Sequence, residues 1–144
     1  MMAAMREVTL HRMLLDAFRA LDQEIEAALR DRGIDEVRPS QVSTMLLIDR
    51  TGTRLSELAG RAQTTKQRMM QVVDELAEDG FVRRTPDPGD GRAKIVKLTA
   101  KGLRQRAEAR RVLQSVEARA RRRLGGRRYE GLRGALTELT SMEE

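Results

Sequence analysis

Apolar residues recur at three-and-four spacing along most of this chain, the signature of helices that bury one face. Over residues 6–32, Leu10, Leu14, Ala17, Phe18, Leu21, Ile25 and Ala28 fall on one stripe, and Gly33 follows as a stop. This helix is long for a small domain, and its stripe is wider than a lone surface helix needs. A second helix opens at Pro39, a good first-turn residue, with Val42, Met45, Leu46 and Ile48 inward, and ends near "DRTGT" at Gly52. A short third covers "LSELAGRA", with Leu55, Leu58, Ala59 and Ala62 inward. The fourth covers "QTTKQRMMQVVDELAEDG". Thr64 or Thr65 caps it, Thr64 and Gln67 having capping-box spacing, and Met69, Val72, Val73 and Leu76 form its stripe up to Gly80. Two short helices joined by a tight polar turn make a helix-turn-helix pattern.

After Gly80 the period falls to two. "FVRRT" and "AKIVKL" read as strands, with Val96 and Leu98 on one face and Ile95 and Lys97 on the other. "PDPGDG" between them is turn chemistry, and Gly89 and Gly91 are expected to let the tip turn tightly. A hairpin directly after the second helix of the pair makes the unit a winged one. Thr99 then caps a helix with Leu103, Ala107, Leu113, Val116, Ala120 and Leu124 as its stripe, broken at Gly125 and Gly126. The last helix has Tyr129, Leu132, Leu136, Leu139 and Met142 on one side. The fold class is therefore mostly α (α+β).

Composition narrows the function. The 144 residues favour one structural domain, and a net charge of +6 points to an acidic partner such as nucleic acid. Aromatics make up only 2%, which argues against a surface that stacks bases. The chain has no cysteine, so thiol catalysis, thiolate metal sites and peroxide sensing through a thiol are excluded. One histidine, His11, excludes a multi-histidine metal site within one subunit. No nucleophile–base pair or phosphate loop is visible, so an enzyme is not expected, and no cofactor is implied. No long apolar run spans a membrane and "MMAAMREV" lacks a signal-peptide core, which makes the cytoplasm the expected compartment.

Helix, three-helix core with wing, then two helices: this order resembles the MarR (multiple-antibiotic-resistance regulator) family of bacterial transcription factors. The specific part covers residues 55–102. "LSELAGRA" is similar to the family's Leu-x-x-Leu-Ala helix, and "VVDELAEDGFVRR" to the segment that follows recognition. Asp90, Arg92, Leu98, Thr99 and Gly102 match the family's wing, Asp-x-Arg, strand, Leu-Thr and a later Gly. Gly91 stands where a second basic residue is frequent, and Arg38 and Arg54 where capping Ser or Thr is common. Met69-Met70 replaces a Val-Ser type of pair.

The organisation expected is an N-terminal dimerisation helix over 1–38, a winged DNA-binding region over 39–98 and dimerisation helices over 99–144. The fourth helix offers Thr65, Lys66, Gln67, Arg68, Met70 and Gln71 to a major groove. Arg and Gln make bidentate contacts to base edges, Met70 suits a thymine methyl, and Thr65 and Lys66 suit phosphate. The resemblance gives Arg92 a minor-groove role, with Asp90 expected to hold its guanidinium and Lys94 to add a phosphate contact. Arg54 is a further candidate phosphate contact.

In the family the terminal helices of two subunits interlock. That implies a homodimer with Leu10, Leu14, Leu21, Leu132, Leu136 and Leu139 at its interface, on a pseudo-palindromic site with half-sites roughly 34–36 Å apart. A monomer whose terminal helices fold back on its own core is the alternative. The resemblance also implies a small-molecule effector, for which the sequence marks no pocket. Arginines at 104 and 119–128 enrich the later helices; most suit a solvated face, while Lys101 and Arg104 are candidates for extra DNA contact. The expected function is a ligand-responsive repressor that binds double-stranded DNA. The competing reading is a winged-helix module docking an acidic protein.

Overall fold

Helix α1 (Leu10–Asp31) starts at Thr9, whose hydroxyl oxygen accepts from the Arg12 amide at 3.2 Å. The structure, a computed structural model, describes residues 8–34 and 36–141. Arg6 and Met142, expected on the first and last helices, lie outside the described residues. Only the C-terminal end of α1 joins the core, through Leu29 and its partly buried neighbours Ile25 and Ala28. The N-terminal part leaves Leu10, Met13, Leu14, Phe18 and Leu21 exposed.

Helix α2 (Pro39–Leu47) begins with the proline its fixed φ favours. Its N-cap is Arg38, which has no capping side chain; Gln41 Oε1 instead reaches back to the Arg38 amide at 2.9 Å. Strand β1 (Thr53–Arg54), not expected from the sequence, leads into α3 (Leu55–Arg61) and α4 (Lys66–Glu78). Then come β2 (Val82–Asp87), β3 (Asp90–Leu98), α5 (Ala100–Leu124) and α6 (Gly126–Thr140). The sheet is antiparallel in the order β1-β3-β2. β1 is two residues long, too short to show a period of its own, and exists because Thr53 pairs with Val96 and Arg54 with Ile95. At Gly52, φ is +102° and an added Cβ would lie 2.6 Å from Ile95 Cγ2, so only glycine lets the chain enter this strand.

The core gathers Val42, Met45 and Ile48 with Leu58, Met69, Val73 and Leu76 against the sheet's Val96 and Leu98. Phe81 sits between α4 and α5 with no exposed surface, a burial worth about 2–3 kcal/mol. The inward line of α5 differs from the expected one. Gly102, Ala109, Val112 and Val116 are buried, whereas Leu103 is 38% exposed and Ala107 faces out. The true line runs through Gly102 and Arg106, neither of them apolar, so a pattern of hydrophobic residues slides onto the neighbouring face.

Thr99 caps α5 as expected, accepting from the Gly102 amide at 3.0 Å, and its hydroxyl donates to the Gly80 carbonyl at 2.6 Å. Helix α6 buries no residue at all, although Leu132, Leu136 and Leu139 line one side of it.

Candidate nucleic-acid interface

The turn before α4 is built by a residue that is not glycine. Gln63 has φ +50°, its amide donates to the Gly60 carbonyl and the Thr64 amide to the Ala59 carbonyl. These two bonds close α3 in the paired pattern that usually has glycine at the left-handed position. Thr65, not Thr64, is the N-cap of α4: its Oγ1 accepts from the Arg68 amide at 3.1 Å. The Thr64–Gln67 spacing is therefore not used as a capping box. Thr65 keeps its hydroxyl proton free at the helix start. Lys66, Gln67, Arg68 and Gln71 are exposed, and Met70 is an apolar side chain 44% exposed among them. Met69, Val73 and Leu76 hold the opposite face in the core. Helix periodicity alone thus separates the residues that anchor α4 from those it presents.

The wing is shorter at its tip and less regular along its side than expected. Pro86 and Asp87 belong to β2, so Pro88 and Gly89 alone connect the strands. Asp87 Oδ1 accepts from the Gly89 amide at 2.9 Å, and this side-chain turn does what glycine freedom was expected to do. Neither Gly89 nor Gly91 has a positive φ. Pairing runs regularly from Val82–Leu98 to Pro86–Lys94, then jumps to Asp87–Asp90. Gly91, Arg92 and Ala93 are the extra residues on β3, so Arg92 sits in a bulge rather than in the ladder. Asp90 Oδ1 accepts from the Arg92 backbone amide at 3.0 Å. The carboxylate therefore shapes the bulge; it does not hold the Arg92 guanidinium.

Helix α4 and the wing face each other across a cleft of about 230 Å³. It is lined by Arg54, Leu55, Ser56, Lys66, Met70, Arg92, Ala93 and Lys94: four cations and no carboxylate. Five residues expected at the site from the sequence meet here, from β1, α4 and β3. Gln67, Arg68 and Gln71 lie outside the cleft on the exposed face of α4. Ser56 was not expected; it is the first polar residue of a short helix and nothing in its sequence neighbourhood distinguishes it. Arg54 is not free: its Nη2 lies 2.7 Å from Asp87 Oδ2.

Several other charges have structural partners. Arg84 of β2 pairs with Asp74 of α4, tying wing to helix. Lys101 Nζ donates to the Asp79 carbonyl at 2.9 Å and lies over the Phe81 ring at 4.8 Å. Lys101 thus caps the C-terminus of α4. Arg61 donates to both carboxylate oxygens of Asp49, at 3.0 and 2.9 Å, and also to Glu57 and the Leu47 carbonyl. The Arg61 guanidinium holds the Asp49 carboxyl below its ordinary range. No group of three or more histidine, aspartate or glutamate side chains placed to hold a metal ion occurs among the described residues. No helix among them is long and apolar enough to cross a membrane.

Known proteins share this arrangement. The model of the MarR family matches residues 36–93, the segment from α2 to the wing. The transcriptional regulator HosA of Escherichia coli O111:H- is 28% identical over 88% of this chain and 90% of its own. The HTH-type transcriptional repressor YetL of Bacillus subtilis (strain 168) is 35% identical over 62% of this chain, and the match spans only about half of its length, 53%. Among solved structures, the repressor CouR of Rhodococcus jostii RHA1 on a 23-mer DNA duplex superposes with a TM-score of 0.82 at 24% identity, covering 92% of each chain. MepR of S. aureus in complex with DNA gives 0.82 at 19% identity, covering 94% of this chain and 98% of that one. A MarR variant from E. coli with operator DNA gives 0.81 at 20% identity, over 90% and 92%. These structures share the winged helix-turn-helix fold with terminal helices. Over residues 36–93 the chain is similar to the MarR family, and the curated relatives named above are described as transcriptional regulators.

Proposed function

We propose that this chain is a DNA-binding transcriptional repressor that acts as a homodimer on a pseudo-palindromic duplex and responds to a small molecule. The observation that carries the DNA reading is the cleft between α4 and the wing, with cations on both walls and no carboxylate lining it. Thr65 and Lys66 contact phosphate at the start of α4, where the backbone amides favour an anion. Gln67, Arg68, Met70 and Gln71 meet base edges in the major groove. Arg92, in its Asp90-shaped bulge, enters the adjacent minor groove, and Lys94 neutralises a phosphate behind it.

The homodimer is supported by what one chain leaves uncovered. Leu10, Leu14 and Leu21 of α1 and Leu132, Leu136 and Leu139 of α6 are all exposed, and α6 has no buried residue. A 15-residue helix that meets α5 but buries none of its residues is marginal in water, so α6 draws further stability from a partner. Light scattering at low concentration tests this; a clean species of the single-chain mass, 16.3 kDa, sinks it.

The repressor reading is supported by YetL and CouR, both described as repressors. The effector reading is supported by CouR, which has been solved with p-coumaroyl-CoA. Selection of bound duplex from a random pool, followed by a salt titration, tests the whole. Two half-sites one helical turn apart and a steep loss of affinity with salt are expected. Arg92→Ala is expected to weaken binding to the selected site with little change in stability; equal binding at equal salt removes the wing from the mechanism. Transcription from a promoter carrying that site should rise when the gene is deleted, and a fall would make the protein an activator.

A further inference from the structure

Asp87 is the most deeply placed charge near the interface, with 7% of its side chain exposed against 56% for its partner Arg54. Its Oδ1 accepts from the Gly89 amide and so forms the tip. Its Oδ2 lies 2.7 Å from Arg54 Nη2 yet has no hydrogen bond of acceptable angle, so that buried oxygen is compensated by charge alone. A buried carboxylate without its cation is costly, so Asp87 keeps this place only while Arg54 stays. Arg54 is fixed at its own end. It closes β1, pairs with Ile95 and immediately precedes α3. In the sheet order β1-β3-β2 its side chain must reach across the central strand to meet Asp87 on β2. The segment it crosses is where β3 loses register and carries Arg92.

We propose that Asp87 and Arg54 are positioning residues: a clamp across β3 that fixes the wing's angle over the recognition helix. Arg54 then acts on DNA affinity through the wing and not through a phosphate of its own. This rests on the DNA-binding reading above. It also separates two cations that line one cleft, Arg92 as the contact and Arg54 as the brace.

The two roles differ in measurable ways. A phosphate contact contributes about one unit to the slope of log affinity against log salt, and removing it flattens that slope. A brace leaves the slope unaltered, and its two halves are not additive. The experiment is fluorescence anisotropy on the selected duplex over a salt series. It compares the parent chain with Arg54→Ala, Asp87→Asn, the double variant and Arg92→Ala. Asp87→Asn keeps the shape and the Gly89 hydrogen bond, which guards against misfolding.

The clamp predicts that Arg54→Ala and Asp87→Asn each weaken binding about tenfold, with the double variant no worse than either, at the parent's slope. Amide exchange in the free protein is expected to speed up at Gly89 and Arg92 in Arg54→Ala. A flattened slope in Arg54→Ala, with Asp87→Asn binding as tightly as the parent or tighter, overturns the proposal and makes Arg54 a phosphate contact. If the parent binds and both single variants match it, the clamp alone has failed. If the parent binds no duplex, the DNA-binding reading has failed and the clamp's role with it.

Discussion

The guanidinium of Arg106, in the middle of α5, donates to the carbonyl oxygen of Ile48 at 2.7 Å and reaches that of Met45 at 3.5 Å. Ile48 is the C-cap of α2, where backbone carbonyls run out of helical amides, and its own amide already donates to the Met45 carbonyl at 3.3 Å. A cation at that end also opposes the helix dipole. Arg106 therefore joins a helix expected to build the dimer to the one that opens the winged helix-turn-helix unit. Burial, then Arg110 and Arg50, disfavour its charge, but a guanidinium stays protonated throughout the working range. Arg106→Ala is expected to lower unfolding free energy by about 1–3 kcal/mol, read from urea denaturation. An unchanged midpoint would show that water replaces the guanidinium at no cost.

Asp49 and Arg61 set a pH dependence. The Asp49 carboxyl is lowered from 3.8, first by its hydrogen bonds from Arg61. A folded value below the unfolded one means the carboxylate stabilises the fold above about pH 4, and that contribution is lost as pH falls through the folded value. Asp49→Asn should melt at a lower temperature than the parent at pH 7. The two melting temperatures should converge as the pH falls towards about 2. A gap that persists in acid would assign the effect to packing.

Gly102 explains a motif. An added Cβ would lie 2.0 Å from the Phe81 carbonyl oxygen, which also accepts from the Thr99 amide at 3.0 Å. The start of α5 can approach the end of α4 only without a side chain there. Gly102→Ala is expected to cost about 3 kcal/mol by thermal denaturation. Gly91→Ala, where a Cβ meets nothing within 4 Å, should change stability by less than about 0.5 kcal/mol.

Gln63 holds a left-handed backbone in the turn between α3 and α4. Gln63→Gly removes that strain but gains freedom in the unfolded chain, so the expected net gain is about 0.5–1 kcal/mol. Gln63→Val should lose more than that gain. If the glycine variant is less stable than the parent, the turn is not strained.

How far the sequence carried each element depended on how local its cause was. Met69, Val73 and Leu76 declared α4 because the stripe and the exposed polar face are both properties of one helix. The cap was legible as a choice between two threonines; which one closes α4 depends on where Gln63 ends α3. Strand β1 was invisible because Thr53 and Arg54 are a strand only by pairing with Val96 and Ile95. On α5, Arg106 interrupts the apolar line for the sake of a carbonyl on another helix, so hydrophobicity pointed to Leu103 and Ala107 instead.

By itself the sequence determined the helix-turn-helix pair, the hairpin after it, the cap at Thr99 and the exposed set from Thr65 to Gln71. Those features follow from periodicity and side-chain chemistry acting within a few residues. Tertiary structure alone decided which charges are spent within the chain. Arg54 faces Asp87, Lys101 closes α4, Arg106 closes α2, and Arg92 stands in a bulge shaped by Asp90. The reason is that a cation's partner is set by distance in space, and every basic residue looks the same in one dimension.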